Sequence, residues 1–147
     1  MDQTTQGQRG RTAQHRILIA DDDESIIQVL ERIITREGLG EVHSTADSRR
    51  GLPLFFEQQP DIVLLDVEMP RLDGLAVLKQ IRSRVSPDEY LPIFIISGNL
   101  DPTLRVQALR NGASDFIAKP FDLQEVALRV GQALRTRDLT VALEDRV

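Results

Sequence analysis

Apolar residues in this chain form short continuous runs, separated by longer stretches in which they recur with helical spacing. Such runs are typical of strands buried on both faces of a sheet. From Arg16 onward, the pattern strand, loop, helix repeats five times, with 41–45 as a short second strand. Each of the four apolar runs is closed by a polar side chain, and these residues are Asp21, Asp66, Ser97 and Lys119.

This alternation predicts an α/β fold, in which a parallel five-stranded sheet is covered by helices on both faces. Ligands of such sheets bind at the carboxyl ends of the strands. Because Pro70 and Gly74 follow Asp66 closely, we expect a loop there and an exposed Asp66 carboxylate at the rim of the sheet. Acid, hydroxyl and amine at neighbouring strand ends predict a single site.

The predicted helices have recognisable beginnings, ends and faces. Ile26, Leu30 and 33–34 form one apolar stripe in the first helix, and Gly38 is placed to end it. Pro53 lies inside the second helical stretch, where its missing N–H would break a hydrogen bond. We therefore expect that helix to be kinked, short or late to begin.

Composition narrows the function classes. A length of 147 residues fits one domain, and a net charge of −5 argues against nonspecific binding of nucleic acid. The absence of cysteine excludes disulfides, thiol catalysis and thiolate metal sites. No apolar run approaches the roughly 20 residues that span a bilayer, so we expect no membrane partner and a cytoplasmic location.

At these spacings, the strand-end residues resemble the receiver domain of two-component response regulators. The resemblance runs from about Arg16 to Arg137. It is carried by the acid pair Asp21-Asp22, the block Asp66-Val-Glu-Met-Pro-Arg-Leu-Asp-Gly74, Ser97 and Lys119-Pro120. The resemblance implies a flavodoxin-like doubly wound (βα)5 fold with strand order 2-1-3-4-5. It also implies that Asp66 accepts a phosphoryl group from a sensor histidine kinase or a histidine phosphotransfer protein.

The resemblance further implies a bound Mg²⁺, held by Asp22, Asp66 and the backbone carbonyl of Glu68, with Asp21 acting mainly through water. A carboxylate can attack a phosphohistidine only if the charges of both partners are screened. Mg²⁺ suits this task, because it takes one or two carboxylates together with phosphate oxygens and waters. Lys119 adds a point charge that can pair with the acyl phosphate.

Other positions take family roles by the same resemblance. Ser97 is the hydroxyl switch residue, and Phe116 is the aromatic switch residue in place of the more frequent tyrosine. Asn99, with Glu68, flanks the site at positions that influence acyl-phosphate hydrolysis, and Gly98 is expected to leave room for the phosphoryl group. Lys119-Pro120 is expected to be a cis peptide.

Three other interpretations fit the same residues less well. A haloacid-dehalogenase-type phosphatase requires Asp-x-Asp after its first strand, which Asp66 and its neighbours do not match. A flavin-binding module fits the fold but not the acidic rim. A degenerate, docking-only receiver is not favoured, because every key position is filled. Residues expected to be caps or isolated side chains are Asp23, Asp61, Asp73, His15 and His43.

The predicted organisation has three parts. Residues 1–15 form a disordered arm, 16–137 the receiver domain, and 138–147 a helical tail or the start of a linker to an output domain. In the tail, Leu139, Leu143 and Val147 form a new apolar stripe. A homodimer is possible through this helix or through the face of helix four, strand five and helix five.

Overall fold

Five parallel strands form the central sheet in the order β2-β1-β3-β4-β5. The structure is a computed structural model, and it describes residues 15–68 and 74–145. The observed strand order and the parallel pairing confirm the predicted fold class and strand order. The strands are β1 (Arg16–Ala20), β2 (Glu41–Thr45), β3 (Ile62–Asp66), β4 (Ile93–Ser97) and β5 (Asp115–Ala118).

The helices lie on both faces of the sheet. Side chains of α1 and α5 pack in one apolar cluster, and side chains of α2, α3 and α4 pack in the other. Alternate residues of β3 serve the two clusters, since Leu64 belongs to the first and Leu65 to the second. The helices are α1 (Glu24–Arg36), α2 (Gly51–Gln58), α3 (Gly74–Ser83), α4 (Pro102–Arg110) and α5 (Leu123–Asp145).

The central strands anchor the domain by burial. Every residue of β3 and β4 is buried, and each fully buried Leu or Ile stabilises the fold by about 1.5–3 kcal/mol. Because these strands are tightly packed, they fix the positions of the residues at their carboxyl ends.

Two helices refine the sequence predictions. In α1 the buried stripe uses Ile27 rather than Ile26, which is only partly buried at the edge of the cluster. A 3-10 turn over Ser48–Arg50 precedes α2, so Pro53 falls in the first turn of the α-helix. In that turn its missing N–H removes no helical hydrogen bond. Of the three alternatives expected for this helix, kinked, short or late to begin, the structure shows a short helix that begins late.

The last helix continues beyond the sheet, and two contacts hold its extension. The Arg137 guanidinium donates to Asp61 Oδ1 at 2.9 Å and to the Tyr90 carbonyl. His15 Nε2 lies 2.9 Å from Asp138 Oδ1, so His15 is paired and the expectation that it is isolated is wrong. The expectation missed this pair because its members are 123 residues apart.

The apolar stripe predicted for the tail is solvent-exposed where the structure describes it. Leu139 is 67% exposed and Leu143 63% exposed, whereas Val147 lies outside the described residues. The predicted arm, apart from His15, and the predicted loop residue Asp73 also lie outside them. Within 15–68 and 74–145, no helix combines the length and apolar character needed to cross a membrane.

Candidate functional site

Three strands deliver charged side chains to one point at the carboxyl edge of the sheet. Asp21 directly follows β1, Asp66 ends β3, and Lys119 directly follows β5. Lys119 Nζ lies 2.9 Å from Asp21 Oδ2 and 3.3 Å from Asp66 Oδ2. The predicted meeting of these side chains is confirmed.

The site is more buried than the sequence indicated. Asp66 is 2% exposed, so the expectation of an exposed carboxylate at the rim is wrong. The start of α3 lies close to the end of β3, because Gly74 packs against Val67. A Cβ atom on Gly74 would collide with Val67 Cα and approach the Asp66 carbonyl oxygen to 2.8 Å. This close approach requires glycine at position 74 and holds the start of α3 next to the end of the strand that carries Asp66.

Burial changes the acid strength of Asp66. Desolvation raises its pKa from the ordinary 3.8 to about 6, and the negative charge of Asp21 adds to the increase. The Glu68 N–H, which donates to Asp66 Oδ1 at 2.8 Å, and the Lys119 ammonium act in the opposite direction. The ionised Asp66 carboxylate is therefore under-compensated by the protein alone.

Lys119 remains a strong cation in this setting. Burial lowers its pKa, but the hydrogen bond and charge of Asp21, together with Asp66, outweigh burial and raise the pKa overall. The Lys119-Pro120 peptide is cis, as predicted. One ammonium thus faces two buried carboxylates.

The acidic cluster has the donor chemistry of a Mg²⁺ site. Carboxylate oxygens of Asp21, Asp22 and Asp66 lie within 4.8 Å of one another. Asp22 is exposed while the other two are buried, so the cluster opens to solvent on one side. Hard divalent cations take such oxygen ligands and retain waters on the open side. These residues fit the ion, whereas the ligand role of the Glu68 carbonyl stays a prediction.

Asp23, the third acid of the run, serves the helix. Its side chain accepts from Ser25 N at 2.9 Å and caps α1. Hydrogen bonds from Ser25 lower the pKa of Asp23. The predicted capping role is confirmed, and it separates Asp23 from the metal-type cluster.

The loop after β4 binds the Glu68 side chain. Three groups donate hydrogen bonds to Glu68 Oε1, namely Ser97 Oγ at 2.8 Å, Gly98 N at 2.8 Å and Asn99 N at 3.2 Å. The Ser97 hydrogen bond, followed by the two backbone N–H groups, lowers the pKa of Glu68. Sequence analysis placed Glu68 beside the site but did not predict the partners of its side chain, since no local pattern links residues 29 apart.

Ser97 and Phe116 occupy different parts of this region. Ser97 is completely buried at the site, whereas Phe116 is buried in β5 with the Arg105 guanidinium 5.7 Å from its ring centre. A groove of about 440 Å³ runs along Phe116 between α4, β5 and α5. Phe116 thus belongs to the face of α4, β5 and α5 that is predicted to transmit the signal.

Two further predicted residues have simple surroundings. A Cβ on Gly98 would lie 3.7 Å from Glu68 Oε1 and 3.9 Å from Lys119 Cβ, which are ordinary contacts. The need for glycine at this position therefore stays a prediction about the phosphorylated form. His43 lies 3.3 Å from Glu41 on β2, outside the acidic cluster.

Comparison with known proteins places this geometry in a family. The sequence model described as "Response regulator receiver domain" matches residues 17–131. Regulatory protein AtoC of Escherichia coli (strain K12) is 37% identical over 128 residues, covering 87% of this chain and 27% of AtoC. Response regulator MprA of Mycolicibacterium vanbaalenii is 40% identical over 120 residues, covering 82% of this chain and 50% of MprA.

A solved structure agrees with these relatives. The crystal structure of NtrX from Brucella abortus in complex with ADP superposes with a TM-score of 0.79 at 34% identity. The match covers 91% of this chain and 30% of the NtrX chain. This chain spans half or less of the length of the two curated relatives named above. Since the family match includes every strand that supports the site, the chain belongs to the response regulator receiver domain family.

Proposed function

We propose that this domain is the phosphoacceptor of a two-component phosphorelay, with Asp66 as the residue that is phosphorylated. The observation that carries the proposal is the buried Asp66 carboxylate, which lies beside the Lys119 ammonium and the Asp21-Asp22 acids. The donor is the phosphohistidine of a sensor histidine kinase or of a histidine phosphotransfer protein. The domain catalyses its own phosphorylation and dephosphorylation and transforms no separate metabolite.

The transfer exchanges one bond for another. An Asp66 carboxylate oxygen attacks phosphorus, a P–O bond forms, and the P–N bond breaks. The electron pair of the broken bond stays on the imidazole nitrogen, which takes up a proton. Lys119, 3.3 Å from Asp66 Oδ2, is placed to offset the charge of the phosphoryl oxygens.

Asp21, Asp22, Asp66 and the backbone carbonyl of Glu68 would hold Mg²⁺, with Asp21 acting through water. When bound, the ion supplies charge neutralisation for the attacking carboxylate and the phosphoryl oxygens. The opposing carboxylates then cease to repel one another. The raised pKa of Asp66 supports this assignment, because a cation would favour the ionised form.

Phosphorylation is read out by a shift between two states. Ser97 Oγ leaves its present acceptor and donates to a phosphoryl oxygen, while Phe116 repacks beside the groove between α4, β5 and α5. Gly98, Asn99 and Pro120 shape the loops around the phosphoryl group. The shift requires that the phosphoryl group interact more favourably with one state than with the other.

The proposed receiver unit is 16–137, and the helix that extends beyond it is a candidate surface for binding partners. We place the end of this unit at Arg137, because its side chain still donates a hydrogen bond to Asp61, the residue before β3. The exposed residues Leu139 and Leu143 favour pairing of the tail with a second copy or with an output domain. The face of α4, β5 and α5 is the other candidate for a homodimer. The proposed location is the cytoplasm.

Intact mass after incubation with acetyl phosphate tests this function. Wild type should gain one phosphoryl group only with Mg²⁺, Asp66→Ala should gain none, and the loop variant Asp88→Asn should behave as wild type. Equal labelling of Asp66→Ala would refute the acceptor assignment. If wild type gains nothing, beryllofluoride binding decides between an acyl phosphate that hydrolyses quickly and a failed proposal.

A further inference from the structure

Three hydrogen-bond donors of one turn converge on a single oxygen atom. Ser97 Oγ and Gly98 N each lie 2.8 Å from Glu68 Oε1, and Asn99 N lies 3.2 Å from it. Asn99 N also lies 3.0 Å from Ser97 Oγ, so the turn is held compact by its own bond. We call these three donors, from Ser97, Gly98 and Asn99, the oxyanion cradle.

The chemistry of the cradle suits an anionic oxygen. Successive backbone N–H groups that point to one place form an anion-binding concavity, and charged acceptors give the stronger hydrogen bonds. The Ser97 hydroxyl is also the group that the proposed function assigns to a phosphoryl oxygen. Glu68 and the incoming phosphoryl group therefore require the same donor.

Glu68 connects the cradle to the acceptor residue. Its backbone N–H donates to Asp66 Oδ1 at 2.8 Å, while its side chain reaches across to the cradle. The Glu68 side chain is exposed, whereas Ser97 is completely buried. The carboxylate can therefore leave toward solvent without disturbing the core, and Ser97 has its hydroxyl free for another acceptor once it does.

We propose that the Glu68 carboxylate acts as a positioning residue that occupies the oxyanion cradle until a phosphoryl oxygen on Asp66 displaces it. This inference rests on the proposed function. Occupation of the cradle holds Ser97 in the unphosphorylated arrangement. Because the Glu68 hydrogen bonds must break, forming the phosphorylated state costs additional free energy.

Two variants separate the reach of the side chain from its charge while keeping the backbone carbonyl of residue 68, and a third serves as a control. Glu68→Ala removes both reach and charge, and Glu68→Asp keeps the charge on a side chain one methylene shorter. Glu24→Ala removes an exposed acid from the first turn of α1 and serves as the control. Thermal melting checks that each variant is folded.

Two measurements decide the question. Without phosphodonor, the amide resonances of Gly98 and Asn99 should shift in Glu68→Ala and Glu68→Asp but not in Glu24→Ala. With acetyl phosphate and Mg²⁺, both Glu68 variants should be phosphorylated about fivefold faster, the effect of losing partly exposed hydrogen bonds to a charged acceptor.

The opposing outcomes are distinct. Charge repulsion without cradle occupancy predicts that Glu68→Asp keeps the wild-type rate while Glu68→Ala is faster, and that result overturns the inference. Unshifted Gly98 and Asn99 amides, or equal rates in all variants, overturn it as well. Absence of phosphorylation and of beryllofluoride binding in wild type refutes the proposed function itself.

Discussion

Replacing Asp66 by asparagine should stabilise the protein when divalent cations are absent. Asparagine keeps the size of the side chain and an oxygen for the Glu68 N–H, but it carries no charge. The rise of the Asp66 pKa from 3.8 to about 6 corresponds to ~3 kcal/mol at about 1.4 kcal/mol per pKa unit. Because Asp66, Asp21 and Lys119 interact electrostatically, we expect a net gain of about 1–3 kcal/mol.

The sign of the effect depends on pH in a defined direction. The pKa of folded Asp66 lies above its value in the unfolded chain. The favourable contribution of Asp66 to the free energy of unfolding is therefore fully present below about pH 4 and is lost as the pH rises through about 6. The stability advantage of Asp66→Asn should consequently be largest above neutrality and should shrink toward pH 4.

Urea unfolding in EDTA at several pH values measures this advantage directly. If the proposed site binds Mg²⁺ in the folded state, the ion should stabilise wild type and should stabilise Asp66→Asn much less. The loop variant Asp88→Asn should follow wild type throughout. Equal stability of wild type and Asp66→Asn above neutrality, or a lower stability of the variant, would refute the argument from burial.

Two further substitutions test the supports of the site and of the helical extension. Gly74→Ala should destabilise the domain by about 2–4 kcal/mol, because its Cβ collides with Val67; an unchanged urea midpoint would contradict this. Arg137→Ala should cost about 1–2 kcal/mol through its lost bonds to Asp61 and the Tyr90 carbonyl. It should also speed amide exchange over the last turns of α5, and unaltered exchange there would argue against anchoring by Arg137.

Much of the fold was predictable because its signals are local. Continuous apolar runs predict buried strands, and the polar residue after each run is held at the carboxyl edge by the parallel arrangement. The meeting of Asp21, Asp66 and Lys119 follows from those two facts. The late beginning of α2 was likewise predictable, since Pro53 restricts its own backbone wherever it lies.

The missed features all depend on contacts between distant residues. Asp66 is 2% exposed and Gly74 lies against Val67, and apolar periodicity contains no information about either feature. The Glu68 side chain meets a loop 29 residues away, and His15 meets Asp138 at a distance of 123 residues. A motif indicates which residues share an edge, but loop packing decides their exposure and partners.

The shortage of positive charge at the site lowers the stability of the fold and also makes the site sensitive to cations. Among the described residues, Lys119 is the cation that contacts both Asp66 and Asp21, and burial of these carboxylates leaves the ionised site short of positive charge. A divalent cation relieves this deficit, and its binding free energy then stabilises the fold. The cradle has the opposite balance, because Glu68 already satisfies its donors. Under the proposed function, the bound cation therefore favours phosphorylation of Asp66, whereas the Glu68 hydrogen bonds in the cradle oppose it. We expect the difference between these two free energies to set how readily the phosphorylated state forms.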